Sequence, residues 1–423
     1  MGRSIFQIVK ATGKQKQLLD RFRDAIGPAI AENKDVPFAD NDVTYAFKLQ
    51  NERLRKKGIQ TEYEVYERGG IEEFTMGRDW SDRHFHSTMC FKSCGVKRKF
   101  SKEGKKLYGD NRKYTLYETL TELVSGESPA DEAHCCPSCG AVAKISELTN
   151  GCPYCGTVYK MDDLFPNISS YYFLEDAGRD SGELKRKIAM FMGIAAIGMF
   201  IILLLSSRNM DLHGFGLAAY LFFGSIIGGV VGGYFLWAIF TMYWYFFKAI
   251  ASTGKVVGSI GSRSKFENRM KQISPEFSFE YFTSKAQSLI KTAIFAEDET
   301  QLLFYKGNPL DKSLKDIIDV NYGGVLSVIS VEERENMVRV WVNGFFDNVY
   351  SNDSKTYFKH EVLRAALVRR TDIPLDYNFS MTRLQCPTCG TNYDATKNKL
   401  CPACNHEYDI VSKDWILTKL ERT

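Results

Sequence analysis

The sequence predicts an α+β multidomain membrane protein with two transmembrane helices and two four-cysteine zinc ribbons. Three observations lead to this fold class. Two long stretches carry no charge, eight of the 11 cysteines form four Cys-Pro-x-Cys knuckles, and helix-type and strand-type periodicities alternate elsewhere. Hydrophobic residues make up 44% and charged residues 25% of the 423 residues, which is ordinary globular composition and argues against a mainly disordered chain.

The charge balance argues against one class of partner. Lys and Arg total 55 and Asp and Glu total 51, a formal net charge of +4, whereas nucleic-acid-binding domains have a stronger basic field. Two filled four-thiolate zinc sites, at about −2 each, would bring the net charge to about zero. The densest basic segment, Lys97–Lys106, fits a solvated loop or attraction to anionic lipid better than phosphate binding. We therefore do not expect nucleic acid as a partner.

Residues 1–130 predict an α+β domain whose fold the sequence does not identify. Four apolar residues recur at every fourth position and predict an amphipathic helix. They are Leu18, Phe22, Ile26 and Ile30. We expect an interruption near Pro28, since proline lacks the amide hydrogen that a helix interior needs. Val43–Lys57 is a second helical candidate, and Thr61–Tyr66 and His84–Phe91 alternate like strands.

The cysteine spacing predicts one zinc ribbon within residues 133–160 and another at the start of residues 386–423. Two knuckles joined by a short hairpin place four thiolates around one tetrahedral Zn²⁺. The predicted ligands are Cys136, Cys139, Cys152 and Cys155 in the first ribbon and Cys386, Cys389, Cys401 and Cys404 in the second. Four thiolates leave no open position on the metal, so we expect both sites to be structural.

Other interpretations of these cysteines are weaker. Disulfides are rare where thiols stay reduced, and the topology predicted below places both ribbons in the cytoplasm. A lone Cys-x-x-Cys suits a redox motif, but matched pairs favour metal. Cys135 is an alternative to Cys136 as a ligand, although only Cys136 fits the Cys-Pro pattern.

A third group of metal-type residues follows the pattern H-x-H-x3-C-x3-C. Its members are His84, His86, Cys90 and Cys94. They could form a third metal site, or they could be strand residues on alternating faces with two ordinary thiols. The pattern favours the strand.

Two apolar segments predict transmembrane helices over residues 188–207 and 215–247. The uncharged stretch Ile188–Ser207 has twenty residues, about 30 Å of helix and one hydrocarbon thickness. The uncharged stretch Gly214–Phe247 is longer than one span needs, and its Tyr243–Tyr245 aromatics suit the headgroup level. Core helices of soluble proteins rarely reach these lengths without a polar face.

The basic residues near these segments predict the topology. Lys and Arg are frequent before the first segment and after the second, whereas the short connection contains only Arg208. By the positive-inside rule, the chain is a two-span protein of the cell membrane with both termini in the cytoplasm and the lipid bilayer as a partner.

Two further features belong to the membrane region. Three glycines at four-residue spacing, Gly224, Gly228 and Gly232, allow close helix approach, either between the two spans or in a homo-oligomer. After the second span, Ala251–Ser264 is rich in Gly and Ser and predicts a flexible linker.

Residues 275–385 predict an α+β domain. Ser278 is a plausible N-cap, with Phe277 and Phe282 placed as a hydrophobic staple. One helical face is apolar and consists of Phe279, Phe282, Ala286, Leu289 and Ile290. Three strand-like runs follow, at Gly324–Val331, Met337–Phe346 and Tyr357–Arg370. After the second ribbon, Asp414–Leu417 closes the chain as a strand or short helix.

Residues 275–423 resemble bacterial members of the Tim-forty-four-like family. The resemblance is carried by the helix FSFEYFTSKAQSLIKTAI, by VRVWVNGFFDNVY and by the cysteine tail that ends in KDWILTKL. It implies the cone-shaped α+β fold of nuclear-transport-factor-like proteins, with a concave apolar pocket. It also implies a role in membrane-protein insertion or protein translocation.

The sequence carries no recognised catalytic motif. It has no P-loop, dinucleotide glycine fingerprint, H-E-x-x-H or G-x-S-x-G sequence, and we expect His360 and Glu361 on a solvated strand face. The favoured interpretation is a membrane-anchored binding or scaffold protein with a protein or peptide partner and no catalytic residues. The alternative is an enzyme, or a protein that binds a lipid or small molecule, using the pocket of the cone-shaped domain.

Overall fold

The protein is described by a computed structural model. The described residues are 8–69, 74–76, 85–123, 130, 133–159, 164–176, 181–210, 213–275, 277–352, 355–373, 383–395 and 397–423. The chain divides into two compact units, Met1–Asp176 with Gly261–Thr423 and Ala177–Ile260. The structure confirms the mixed α+β class that the sequence predicts.

The first half of the larger unit contains two long helices and a six-stranded antiparallel sheet. Its elements are β1 Ile8–Lys10, α1 Gly13–Glu32, α2 Asn41–Lys56, β2 Gln60–Glu67, β3 Phe74–Met76, β4 Phe85–Lys102, β5 Lys105–Leu123, β6 Ala133–Cys135, β7 Val142–Lys144, α3 Ile145–Asn150 and β8 Asn167–Glu175. The sheet order is β1-β3-β4-β5-β8, and β2 also pairs with β4. Strand β8, which follows the first ribbon in the chain, also belongs to this sheet.

Helix α1 is fixed by its caps and by its buried face. The Thr12 side chain accepts a hydrogen bond from Gln15 N, and the Gln15 side chain accepts one from Thr12 N. The four predicted apolar residues are all buried. The expected interruption at Pro28 is wrong, since the helix continues to Glu32. Proline in the last turn removes one hydrogen bond, while Asn33, in the left-handed conformation, ends the helix by donating to Ala29 O.

Strands β4 and β5 form a long hairpin, and the basic segment Lys97–Lys106 covers its turn and the adjoining ends of both strands. The turn at Glu103 and Gly104 has positive φ at both residues, as a two-residue hairpin loop requires. Lys97 and Lys99 lie opposite Glu64 and Glu62 of β2, and Lys99 Nζ is 2.6 Å from Glu62 Oε1. Part of the basic segment is therefore neutralised across the sheet.

The second half of the larger unit contains α6 Phe279–Phe295 and a four-stranded antiparallel sheet. Its strands are β9 Ile317–Arg334, β10 Met337–Ser351, β11 Thr356–Arg370 and β14 Ile416–Arg422, in the order β14-β11-β10-β9. A separate hairpin of β12 Arg383–Gln385 and β13 Asn392–Asp394 carries the second ribbon. The three predicted strands are confirmed, and the closing segment is a strand that completes the sheet.

The two halves share one order of elements. In each half, a helix precedes three long antiparallel strands, a cysteine ribbon follows the third strand, and the next strand pairs with the third at the sheet edge. The strands are β2, β4, β5 and β8 in the first half and β9, β10, β11 and β14 in the second. Asn167 of β8 comes twelve residues after Cys155, and Ile416 of β14 comes twelve residues after Cys404.

The inner face of the second sheet packs on α6. Val338, Val340 and Val342 alternate along β10, are fully buried, and belong to one core with Phe282 and Trp415. Ser278 caps α6 by accepting a hydrogen bond from Tyr281 N. Residues 279–423 thus form an α+β layer arrangement, consistent with the predicted class.

Buried polar contacts join the two halves. Arg98 Nη1 of β4 lies 2.7 Å from Asp319 Oδ2 of β9, and both residues are buried. The Asn321 side chain exchanges two hydrogen bonds with the backbone of Phe173, at 2.8 and 2.6 Å. Arg53 of α2 donates to the carbonyls at the end of α6. These contacts place both sheets in one folded unit.

The smaller unit is a helical hairpin built from α4 Ser181–Ser206 and the first part of α5 Phe215–Ile273. Segments Arg186–Ser206 and Phe215–Thr241 are long and apolar enough to cross a membrane. A Cβ placed on Gly229 or Gly233 would lie within 2.5 Å of α4, so these glycines permit close contact within the hairpin. A homo-oligomer through Gly224, Gly228 and Gly232 stays a prediction.

The predicted flexible linker at Ala251–Ser264 is wrong. Helix α5 continues through it to Ile273. Each Gly weakens a helix by only about 1 kcal/mol, and the segment lacks proline, so composition alone does not break it. The side chains of Tyr243–Tyr245 lie outside the described residues.

Candidate metal centres

The first ribbon is a pair of tight turns held by backbone hydrogen bonds. Gly140 N donates to Cys136 O at 2.7 Å, and Gly156 N donates to Cys152 O at 2.8 Å. Gly140 and Gly156 have φ of 75° and 73°, the left-handed region that glycine adopts freely. Each turn points its two thiols toward the other turn.

The second ribbon repeats these turns. Gly390 N donates to Cys386 O at 2.9 Å, and Asn405 N donates to Cys401 O at 2.8 Å. The φ of Gly390 is 72° and that of Asn405 is 56°, so Asn405 takes the place that glycine has in the other three turns. The two ribbons therefore have the same local geometry.

The sulfur positions fit a tetrahedral metal. In each cluster the four Sγ atoms lie within 4.8 Å of one another. Cys136 to Cys155 and Cys139 to Cys152 are both 3.7 Å, and Cys386 to Cys404 is 3.5 Å. Four sulfurs at about 2.3 Å from Zn²⁺ are about 3.8 Å apart, whereas a disulfide needs about 2.05 Å. Both clusters can bind a metal ion, and Cys136 occupies the position for which Cys135 was the alternative.

Hydrogen bonds prepare part of each cluster for the metal. A side-chain hydrogen bond between Cys155 and Thr157 lowers the pKa of the Cys155 thiol to about 6, and one between Cys389 and Thr391 lowers the pKa of Cys389 to about 6. A lowered thiol pKa favours the loss of the proton that metal binding requires. In the first ribbon, Tyr159 Oη also lies 3.3 Å from Cys136 Sγ and accepts a hydrogen bond from Ser138 N.

The two clusters differ in their packing. Cys136 and Cys152 belong to a small local core with Leu148 and Phe165. Cys386 and Cys401 instead belong to the main core of the second half, which also contains Trp415. The second ribbon is also tied to other elements, because Leu303 N donates to Ala395 O and the Tyr45 hydroxyl donates to the Asp394 carboxylate.

The third predicted group is not a described metal cluster. His84 lies outside the described residues. His86, Cys90 and Cys94 lie on β4, and Cys90 and Cys94 are buried among apolar residues. Burial raises the pKa of Cys94 to about 12, so its thiol stays protonated at neutral pH. The strand interpretation fits these residues.

Sequence reasoning missed a buried charged group at Lys285. Its Nζ lies 2.8 Å from Asp414 Oδ2 and 3.4 Å from Asp42 Oδ2, and the Tyr281 hydroxyl also donates to Asp414. Burial alone lowers the pKa of Lys285, but the charge of Asp414 outweighs it and holds that pKa above its usual value. A lysine between Phe282 and Leu289 on an apolar helix face was the available signal.

The expectation for Glu361 is wrong, whereas His360 is exposed as predicted. The Glu361 side chain is only 5% exposed, and it accepts hydrogen bonds from Asn348 at 2.7 Å, from Arg422 at 2.9 Å and from the Tyr350 hydroxyl. It joins β10, β11 and β14. A period-two strand pattern cannot reveal this network, because its partners come from distant parts of the chain.

Comparison with protein-family models, with curated proteins and with solved structures gives no match to this chain. The resemblance of residues 275–423 to the Tim-forty-four-like family therefore stays a prediction. The same holds for the nuclear-transport-factor-like fold of the second half.

Proposed function

We propose that this chain is a membrane-anchored scaffold protein. Its helical hairpin crosses the cell membrane, its larger unit lies in the cytoplasm, and two structural zinc ribbons stabilise a surface that binds a protein or peptide partner. The observation that carries the proposal is the apolar hairpin, whose exposed surface needs lipid, on the same chain as two closed four-cysteine clusters.

The hairpin supports the membrane location. No residue is buried in the most apolar part of Arg186–Ser206, and only 6% of residues are buried in the most apolar part of Phe215–Thr241. Large side chains such as Phe222, Phe223 and Ile227 are about two-thirds exposed, at 59%, 61% and 64%. A helix that is apolar all round is stable in lipid but not in water. The flanking Lys and Arg residues support the cytoplasmic position of both termini.

The donor set supports zinc. Thiolates select Zn²⁺ or iron–sulfur chemistry over Mg²⁺ and Ca²⁺, and the Cys-Pro-x-Cys turns at these sulfur separations suit one tetrahedral Zn²⁺. Because all four positions are protein ligands, such an ion stabilises the fold and has no site for substrate. This favours binding over metal catalysis at the ribbons. The resemblance of the second half adds a specific version, in which the partner is a protein during membrane insertion or translocation.

Site-directed photo-crosslinking in intact cells tests the proposal. A photo-reactive residue at Val158, which is 63% exposed on the first ribbon, is expected to crosslink to another protein. The same residue at Val230, 49% exposed on α5, is expected to crosslink to lipid.

A labelling experiment checks the topology in the same cells. An impermeant maleimide is expected to label an Arg208→Cys variant from outside, and to label a Lys14→Cys variant only after permeabilisation. The proposal is contradicted if the photo-reactive residue at Val158 crosslinks to no other protein. It is also contradicted if the maleimide labels the Lys14→Cys variant in intact cells.

A further inference from the structure

A group of three metal-ligating side chains lies where the two sheets of the larger unit meet. Glu175 is the last residue of β8 in the first sheet. Asp347 of β10 and His360 of β11 are direct cross-strand partners in the second sheet. One ligand atom from each lies within 4.8 Å of the other two. We propose that Glu175, Asp347 and His360 bind a divalent transition-metal cation.

The geometry suits one ion. Asp347 Oδ1 lies 2.7 Å from His360 Nδ1. Neighbouring ligands of an ion at about 2.0–2.2 Å are about 3 Å apart, and opposite ligands are about 4.2 Å apart, so the three atoms can share one centre after small rotations. The ring of Phe358 packs edge-on against the His360 ring, with centroids 4.8 Å apart, and limits its rotation.

The charges around the group also favour a cation. Arg98 contacts Asp110 and Asp319, and Arg112 contacts Asp110 and Glu175. Three carboxylates therefore share these two guanidinium groups, and Asp347 adds a fourth carboxylate beside His360. Among the described residues, Arg112 is the only cation in contact with Glu175, and His360 is the only basic group in contact with Asp347. A divalent ion at Glu175 and Asp347 offsets part of this excess of negative charge.

Arg112 orients Glu175, and Phe358 orients His360. Arg112 Nη1 holds one Glu175 oxygen at 3.0 Å, and its guanidinium stacks 3.8 Å from the centre of the Phe358 ring. The Asp347 side chain is 13% exposed, whereas those of Glu175 and His360 are 36% and 65% exposed. The group is thus anchored on one side and open to solvent on the other.

The ligand types indicate which metals bind. One imidazole and two carboxylates form a nitrogen and oxygen set that suits Mn²⁺, Fe²⁺ or Zn²⁺ and lacks the thiolates of the ribbons. Three protein ligands leave positions open for water or another ligand, unlike the closed ribbon sites. Because the ligands come from both sheets, the ion also ties the two halves of the larger unit together.

Mn²⁺ binding to the full chain in detergent tests the inference, with zinc limited to the two equivalents that fill the thiolate sites of the ribbons. Mn²⁺ is a selective probe because it prefers oxygen and nitrogen to thiolate ligands. Loss of the free-Mn²⁺ electron paramagnetic resonance signal is expected to show one site per chain. The His360→Ala variant is expected to bind Mn²⁺ about 10-fold more weakly or worse. The His213→Ala variant, which changes an exposed histidine outside the group, is expected to bind Mn²⁺ as the wild type does.

Metal content in zinc alone provides a second readout. Elemental analysis is expected to give three Zn²⁺ per wild-type chain and two per His360→Ala chain. If a ribbon does not bind zinc, the Zn²⁺ content of the wild type and of His360→Ala falls by the same amount, and Mn²⁺ binding does not change. Equal Mn²⁺ binding by the wild type and His360→Ala, or none at millimolar Mn²⁺, overturns the inference.

Discussion

Lys285 is a buried cation on the apolar face of α6, and Asp414 compensates its charge. Removal of one partner of a buried ion pair leaves the other charge uncompensated and destabilises a protein by about 3–5 kcal/mol. We expect Asp414→Ala to lower the free energy of unfolding by about 3 kcal/mol, at the low end because Asp42 still faces Lys285. Hydrogen exchange of α6 and β14 amides in the detergent-solubilised chain measures the change.

The control for this variant is Asp409→Ala. Asp409 is 63% exposed and contacts Arg370 only at 3.8 Å, so its loss is expected to change stability by less than about 0.5 kcal/mol. Equal protection in both variants would show that the Lys285–Asp414 pair contributes little.

Asp40 gives the larger unit a pH-dependent stability. It is the N-cap of α2, and burial, together with the charge of Asp42, raises its pKa to about 7. Because this carboxyl binds its proton more tightly in the folded state, the stabilisation is complete below its unfolded pKa of about 4 and is lost as pH rises through about 7. We expect the wild type to lose about 1–2 kcal/mol between pH 5 and pH 8, allowing for the half-buried position of Asp40.

The variant Asp40→Asn isolates this effect. Asparagine is as good an N-cap as aspartate and does not titrate, so the fall in stability is expected to disappear. Hydrogen exchange of α2, measured at both pH values and corrected for intrinsic exchange rates, is the readout. An identical pH dependence in Asp40→Asn would assign the fall to other groups.

At the scale of elements, the two ribbons should respond differently to loss of their metal. The free energy of a zinc site in a small module is folding free energy. The first ribbon has its own small core, whereas Cys386 and Cys401 pack into the main core beside Trp415. We expect Cys136→Ser to increase hydrogen exchange only around residues 133–159, and Cys386→Ser to increase it also in β11 and β14.

Wild-type protein treated with a strong chelator provides the matched comparison. It should show both effects together, because it empties both clusters without a substitution. Unchanged protease resistance of residues 383–423 in Cys386→Ser would contradict a structural role for the second site.

The elements differ in how far the sequence alone predicts them. The ribbons and the valines at 338, 340 and 342 were predictable because their signals are local: a fixed spacing and a period of two. Strand β8 was missed because a ribbon separates it from its partner β5, and Glu361 was misplaced because its partner Arg422 lies on a strand far along the chain. The expected breaks at Pro28 and in Ala251–Ser264 were wrong, because the surrounding helix outweighs the low helix propensity of these residues.

At the scale of the whole molecule, the chain leaves the larger unit at Asp176 and re-enters it at Gly261. The two halves nevertheless share buried contacts, including Arg98 with Asp319 and Asn321 with the backbone of Phe173. Ile318 and Val349 of the second half also belong to the core of the first. The shared order of strands and ribbons makes this unit an association of two similar layers that are separated in the chain by the hairpin.

This arrangement predicts that cleavage between the halves does not separate them. A protease site inserted between Asp176 and Ser181 releases the first half from its covalent link to α4. We expect it to stay with the membrane fragment through washing at high salt, since buried contacts are screened little by salt.

In an Arg98→Ala background, Asp319 is left as a buried charge without its guanidinium partner, and association is expected to weaken by at least about 100-fold, equivalent to about 3 kcal/mol. Sedimentation of the membranes after cleavage measures the retained fraction, with Lys99→Ala as the exposed control on the same strand. Complete release of the cleaved wild-type first half would mean that the two layers do not form one unit.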